Sequence, residues 1–471
     1  MSAIAGLDLH LELSPTRPAR SLEAALRGAV LDGRLPPDTR LPAARTLATD
    51  LGISRNTVAA VYAQLTAEGW LEARVGAGTW VAMQVRGGTP AGTRRTTESQ
   101  RFIDMRGGIP DATGFPRREW VAAVRSAVLD ASAADLGYPD PAGTTRLRAA
   151  LAGYLARTRG VAAQPEGIVV GQGFGELLVL VCRALRGRGA MRVAVEEYGH
   201  DYHRRLIAST GLAIVPIPVD DEGAVVTDLE HSDVAAVLLT PAHQFPVGVP
   251  LSAQRRRWLS AWAQRSDRLV LEDDYDGEFR YDRRTIGALQ ALAPRRVVYL
   301  GTASKAVAPA VGLAWAVPPA DLLPDVLEQR DLSGGRPAAL QQRALAAFLD
   351  GHEYDRSVRR LRAQYRGRRA RLEEVVADEL PGCALTGEAA GLQCLLRLRP
   401  GTDEGGVESE ALRRGLLVDG LRALRAPELR DAPGGPALVI GYGGPTPGQY
   451  ETALSLLVES IRAAAPRAGL A

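Results

Sequence analysis

The sequence predicts an α/β protein of two or three domains. A small N-terminal unit of three helices and a two-stranded ribbon comes first, and a large unit on a mainly parallel sheet, ending in a small α+β subdomain, follows. Three observations carry this. At 471 residues the chain is too long for one ordinary core. Up to residue 82 apolar residues recur at helical spacing and then surround a glycine turn. From residue 102 short apolar runs alternate with helical stretches, which is the α/β pattern. Residues 83–101 lack apolar periodicity, are rich in Gly, Thr and Arg, and read as a linker. Their arginines serve equally as a solvated tether or as an aid to holding nucleic acid.

In the first unit, Ser21 can cap a helix whose Leu22, Ala25, Leu26, Ala29 and Val30 share a face, and Gly33 ends it. Leu35-Pro36-Pro37-Asp38 is a turn. A second helix follows Pro42, turns Leu47 and Leu51 inward, and stops at Gly52. Ser54 can cap a third, with Val58, Val61, Tyr62 and Leu65 as its apolar stripe. Trp70 to Val81 reads as two short strands around glycine. This is the order of a winged helix-turn-helix. Arg55, Asn56 and Thr57 then occupy the first turn of the helix that would meet base edges and phosphates. A small helical docking domain has the same apolar spacing. The net charge of +3 does not decide between them, so a DNA-binding reading rests on pattern.

In the large unit, Ile168-Val-Val, Arg192–Val195, Ala213–Ile217, Val234–Leu239, Arg268–Leu271 and Val297–Leu300 read as buried strands. A long helical stretch from about 339 to 378 leads into the subdomain. Its arginines, from Arg356 to Arg371, read as a solvated face with acidic partners such as Glu373, or as a second DNA contact. Ligands gather at the carboxyl ends of parallel strands. Three groups fall there: Glu196 to His200, Glu272 to Asp276, and Gly301 to Lys305.

Lys305 is the one lysine among 57 basic residues. Lysine offers what arginine cannot, an amine that loses its proton at accessible pH and condenses with an aldehyde. A lysine surviving a bias towards arginine is the plain alternative, so the surroundings decide. Asp273 ends a strand, where a carboxylate could keep a pyridine nitrogen protonated, and Tyr275 could donate to a ring oxygen. Lys305 follows after another helix and strand. An acidic cluster after a strand also suits a helix start or a metal, but no second cluster at ligand spacing accompanies it, and no metal is expected. Cys182, Cys383 and Cys394 form no disulfide or metal pattern. With no basic-then-apolar leader and no membrane-length apolar run, a soluble, cytoplasmic protein is expected.

Two resemblances extend this reading. Arg34 to Arg45, Ser54-Arg-Asn-Thr-Val58 and Glu68-Gly-Trp-Leu with Gly76-Ala-Gly-Thr79 resemble the GntR family of winged-helix repressors. The likeness implies that Arg45 and Arg55 contact bases or phosphates, that Ser54 starts the recognition helix carrying Asn56, and that Thr57 meets a phosphate. It further implies that the Gly76–Gly78 wing tip meets the minor groove of a double-stranded operator, with Arg40 and Arg74 as weaker phosphate-positioning candidates. Tyr138 to Arg148, Thr240-Pro-Ala-His-Gln-Phe-Pro-Val-Gly248, Glu272 to Tyr281 and Gly301-Thr-Ala-Ser-Lys305 resemble fold-type I aminotransferases, and more narrowly the MocR/GabR regulators, which join such a domain to a GntR-type head. That implies pyridoxal phosphate (PLP) on Lys305 as the Schiff-base lysine, Asp273 at the pyridine nitrogen and Tyr275 at the ring oxygen. It also implies His200 as the ring-stacking residue, Thr302 and Ser304 near the phosphate with Gly173 and Phe174 of the Gly171–Leu177 loop, and Tyr138 reaching the partner's phosphate in a head-to-tail homodimer.

This sequence departs from that pattern where anions bind. Gly312 stands where the family has a phosphate-binding arginine, and Glu176 stands where a neutral donor is expected. The stretch Ala437–Tyr442 lacks an arginine for a substrate carboxylate, and Arg430 is not clearly equivalent. The expectation is a transcriptional regulator, with boundaries at 1–82, 83–101 and 102–471, whose second domain binds PLP and senses PLP or an amine or amino acid. The alternatives are a working aminotransferase with an accessory head, or a regulator that has lost PLP for another ligand.

Overall fold

The computed structural model describes residues 16–74, 77–82, 102–281 and 286–464. The linker at 83–101 and Gly76 of the wing lie outside the described residues. The chain divides into two compact units, Met1–Thr97 and Glu98–Ala471.

The first unit contains α1 (Pro18–Leu31), α2 (Ala44–Leu51), α3 (Arg55–Ala67) and the antiparallel pair β1 (Leu71–Arg74) and β2 (Gly78–Val81). Leu22, Leu26, Leu47, Val58, Val61, Leu65 and Val81 meet in its core. Ser54 caps α3 as expected, its hydroxyl accepting from the Thr57 amide at 3.1 Å. Ser21 does not cap α1. Pro18 opens that helix, since its fixed φ and missing N–H suit the first turn, and the Ser21 hydroxyl donates back to the Arg17 and Pro18 carbonyls.

The second unit opens with β3 (Ile103–Asp104), α4 (Arg117–Leu129) and α5 (Thr145–Arg159). It continues through β4 (Val169–Gly171), α6 (Phe174–Gly187), β5 (Arg192–Glu196), α7 (Asp201–Ser209) and β6 (Ala213–Ile217). The small hairpin β7 (Val219–Asp220) and β8 (Gly223–Ala224) precedes β9 (Ala236–Leu239), α8 (Ala253–Ser266), β10 (Leu269–Asp273), β11 (Val297–Thr302) and β12 (Ala314–Val317). The main sheet runs β4-β12-β11-β10-β9-β5-β6, parallel from β11 to β6. The unexpected member is β12, antiparallel to both of its neighbours. Gly301 of β11 pairs with Trp315 of β12, and a Cβ on that glycine would lie 2.4 Å from the indole nitrogen, so only glycine fits. The helix expected between β10 and β11 is reduced to a 3-10 turn at Leu289–Leu292.

Beyond α9 (Leu323–Ser333), the helical stretch is broken at Gly351–His352 into α10 (Ala339–Asp350) and α11 (Glu353–Glu379). Arg343 of α10 bonds to the Ala127 and Asp130 carbonyls, at the end of α4. The arginine face of α11 is only partly solvated. Arg369 pairs with Glu373 at 2.8 Å, but Arg368 is buried on Asp111 and the Tyr442 and Gly443 carbonyls, and Arg362 caps the Glu278 carbonyl. The subdomain adds β13 (Ala384–Thr386), β14 (Gln393–Arg397), α12 (Glu404–Arg413), β15 (Leu416–Leu417), β16 (Asp419–Gly420), β17 (Ala437–Gly441) and α13 (Tyr450–Ala464). Its antiparallel sheet runs β13-β14-β17-β16, and β15 pairs with β3. Among the described residues no helix is long and apolar enough to cross a membrane.

Candidate functional site

The carboxyl ends of β5, β9, β10 and β11 border one cavity of about 160 Å³. The parallel register puts Asp273 opposite Leu300 and leaves Thr302 two residues further along β11. Lys305 follows in the turn after that strand and enters the same cavity. Its ammonium donates to the Gly108 carbonyl at 2.6 Å. Burial lowers the Lys305 pKa, while Asp273 and Asp276 act in the opposite sense. The lysine is thereby poised to shed a proton, the state in which an amine is a nucleophile.

Asp273 is buried and takes no hydrogen bond from the described residues. Burial, then the neighbouring Asp274 charge, pushes its pKa well above the usual carboxylate range. A protonated ring nitrogen beside it would supply the missing donor and restore its charge. Asp274 is itself held by Arg159, with contacts of 2.6 and 2.9 Å, and by the Tyr299 hydroxyl at 2.8 Å. Glu196 is a second cavity carboxyl. Burial pushes its pKa up to about 7, against the opposite pull of the Thr240 hydroxyl and amide, both of which donate to it.

Tyr275 lines the cavity, and burial raises its pKa well above the ordinary phenol value. His200 lies on the same wall, its ring stacked on Phe245 at 3.9 Å. His203, one turn along α7, packs on Phe174 at 4.6 Å. Burial lowers His200 to about 4 and His203 to about 3, so both rings are neutral at pH 7. Thr302 and Ser304 share a hydroxyl–hydroxyl bond of 2.8 Å at the cavity edge. Phe174 reaches the cavity and Gly173 caps the helix behind it.

The structure therefore brings together Lys305, Asp273, Tyr275, His200, Thr302, Ser304 and Phe174. It does not bring in Tyr138, which is 97% exposed and lies in a separate surface groove with Arg336. Glu176 is likewise absent from the cavity wall. Its carboxylate turns back to accept the Gln172 amide at 2.6 Å and faces the fully buried Arg330 guanidinium at 3.5 Å, which neutralises it. Gly312 has φ +59 and sits near the Gln172 carbonyl, 3.7 Å from where its Cβ would be. Arg430 bonds the Arg425 carbonyl in another groove, while Val439 packs against Gly107 beside Phe245. Glu196 belongs to one of the three groups expected at strand ends, although no role was assigned to it, and sequence reasoning missed His203, Arg159, Arg330 and Gln393. His203 adjoins that group, but the other three carry no local pattern.

In the first unit, Arg55 and Asn56 are exposed at the start of α3, with Thr57 beside them and its hydroxyl on Ser54 Oγ at 2.8 Å. Arg45 is exposed on α2. Arg40 bridges to Trp80 and lies against Gly78 of the wing. Arg74 is tied to Asp38 at 2.7 Å and stacks over Trp80, which leaves it less available than Arg40. Among the described residues no group of three His, Cys, Asp or Glu could hold a metal.

Comparison with known proteins divides the chain in the same order. Residues 18–81 match the bacterial regulatory proteins of the gntR family, and residues 108–429 match aminotransferase class I and II. The HTH-type pyridoxine biosynthesis transcriptional regulator PdxR of Corynebacterium glutamicum is 34% identical, covering 83% of this chain and 86% of its own. The probable rhizopine catabolism regulatory protein MocR of Rhizobium meliloti is 33% identical over 74% of each chain. Among solved structures, an archaeal alanine:glyoxylate aminotransferase superposes with a TM-score of 0.70 at 24% identity, covering 78% of this chain and 93% of its own.

Proposed function

Since the chain belongs to the HTH-type transcriptional regulators that join a gntR-family head to a domain of aminotransferase class I and II, we propose that it binds an operator through the head and PLP through Lys305. Occupancy of the second domain, by PLP or by an amine that reacts with it, then changes operator binding. One observation carries the reading: the chain's one lysine enters the same cavity as a buried carboxyl without a donor and a phenol.

The residues present fit the cofactor. Bound there, PLP would supply a reactive aldehyde on a ring that withdraws electrons. Lys305 offers the amine, Asp273 holds the proton at the ring nitrogen, Tyr275 donates at the ring oxygen, and His200 covers one face. Thr302 and Ser304 offer hydroxyls to the phosphate. Glu176 is no obstacle, because Arg330 neutralises it. Tyr138, fully exposed beyond the cavity, would serve a second copy. The exposed Val121, Val128 and Leu129 of α4 support a homodimer on that side. Arg45, Arg55, Asn56 and Thr57 would carry the DNA contacts, with Ser54 fixing the helix start and Arg40 and Gly78 at the wing. A cytoplasmic location goes with this function.

The test is an absorbance spectrum after adding PLP to the full-length protein, then borohydride reduction and peptide mass analysis. A visible band with the adduct on Lys305 is expected; properly folded protein with neither band nor adduct would refute the cofactor reading. The complete ring-binding set of Lys305, Asp273 and Tyr275 also suits an aminotransferase. Turnover of an amino donor with a keto acid would favour that reading, whereas ligand-responsive operator binding without turnover favours the regulator.

A further inference from the structure

Tyr275 is gripped from the subdomain by a residue outside every motif quoted above. Gln393 is the first residue of β14, opposite Gly441 of β17, and is fully buried. Its side-chain nitrogen donates to the Tyr275 hydroxyl oxygen at 2.6 Å. The second neighbour of that oxygen is His243 Nδ1 at 3.3 Å, and the same nitrogen lies 2.7 Å from Asp276 Oδ2. With the Asp276 oxygen as the acceptor of that contact, Nδ1 carries the hydrogen and aims it at Asp276. The other ring nitrogen, Nε2, then has only a lone pair to offer, and it is buried with no partner among the described residues. The Tyr275 oxygen accepts from Gln393 and has at most a shared contact with Nδ1–H. Asp276, the acceptor of the Nδ1 contact, is also a hydrogen-bonding neighbour of the phenol, and the phenol borders the cavity, which offers its hydrogen a second direction.

Stability alone does not explain this amide. The Gln393 carbonyl oxygen is buried and has no hydrogen-bond partner, and a half-satisfied amide in a core strand costs more than an apolar side chain of similar size. Among the described residues, donation to the phenol is the one polar contact the side chain makes.

We propose that Gln393 is a positioning residue that polarises the Tyr275 phenol so that its hydrogen is donated into the cavity, to the ring oxygen of bound PLP, and that this contact couples the subdomain sheet to the electronic state of the cofactor. The inference rests on the cofactor reading above. A phenol that accepts from an amide is the stronger donor, and stronger donation stabilises the anionic form of the ring oxygen. The pH at which the lysine-linked cofactor changes its absorbance therefore depends on Gln393, acting through Tyr275.

The experiment is a spectrophotometric pH titration of the PLP-loaded full-length protein and of Gln393→Leu, with Gln393→Met as a second variant of unbranched shape in case leucine prevents folding. The same substitution is repeated in a Tyr275→Phe background. Losing the amide donor should raise the midpoint by roughly half a pH unit or more. The rise should vanish in the Tyr275→Phe background, because the effect is transmitted by the phenol. A midpoint that stays or falls, or an equal rise without the phenol, overturns the inference while leaving the cofactor reading intact. Wild type with no lysine-linked band overturns the cofactor reading and this inference with it.

Discussion

Replacing Arg159 by methionine should be among the most damaging single changes in the large unit. Arg159 is 4% exposed at the end of α5 and gives Asp274 a two-pronged contact of 2.6 and 2.9 Å. Its remaining donor reaches the Gly277 and Ile286 carbonyls at 2.9 and 3.0 Å. Methionine fills much of the space but leaves Asp274, among the described residues, with only the Tyr299 hydroxyl and both carbonyls without this partner. A buried charge stripped of its partner costs about 3–5 kcal/mol. That should lower the thermal midpoint of this unit by about 4–6 °C, read by near-UV circular dichroism on the full-length protein. Pairing the change with Asp274→Asn removes the uncompensated charge and should restore at least half of the loss. A single variant within about 1 kcal/mol of wild type, or a double variant no better than the single, would refute the view that this pair anchors the strand end carrying Asp273.

Three other perturbations probe different parts of the molecule. Arg55→Ala should weaken operator binding about tenfold or more if the guanidinium reads a base, or lower the salt-dependence slope by about one if it meets a phosphate; unchanged affinity across a salt titration would place the third helix elsewhere. Glu196 has a folded pKa near 7, above the usual carboxylate value, so its contribution is present below about pH 4.5 and lost as pH rises through 7. Glu196→Gln should therefore gain thermal stability relative to wild type between pH 5 and pH 8, and a constant difference would contradict the raised pKa. Gly312→Arg restores the family's cation at a position with φ +59, where a side chain has room but costs about 1–2 kcal/mol of backbone strain. It should destabilise the unit modestly and tighten PLP over pyridoxal, and equal affinities for the two would show that this position does not face the phosphate.

Much of the fold could be read from residue order because its determinants are local. Ser54 names the start of α3 by its own hydrogen bond, and the runs at 193–195 and 297–300 are buried strands as their apolar residues predict, whereas 213–217 forms the edge strand β6 and buries only Ile217, because β5 is its one neighbour in the sheet. Where tertiary context decides, the reading failed. Nothing local distinguishes β12 from the turn before it, since its place depends on Gly301 admitting Trp315 from the neighbouring strand. The break at Gly351–His352 and the inward turn of Arg368 onto Asp111 likewise depend on segments far away in sequence. Ser21 misled because a serine in the first turn of a helix can bond backwards as easily as it can cap.

The candidate site divides along the same line, and chemistry explains where. Lys305 stood out because no other side chain in this arginine-rich chain can form an imine, so its position could not be filled by the common cation. Asp273 and Tyr275 could be placed with it because they lie at and just after a strand end, and the structure sets all three on one cavity. The groups that make those three work are residues the chain uses everywhere. Arg159, Arg330 and Gln393 come from α5, α9 and β14, and they reach Asp274, Glu176 and Tyr275 only once the chain is folded. Each satisfies a charge or a lone pair on a residue next to, or part of, the reactive set. That accounts for how Glu176, unexpected by motif, is not an unpaired charge: Arg330 faces it from α9 at 3.5 Å.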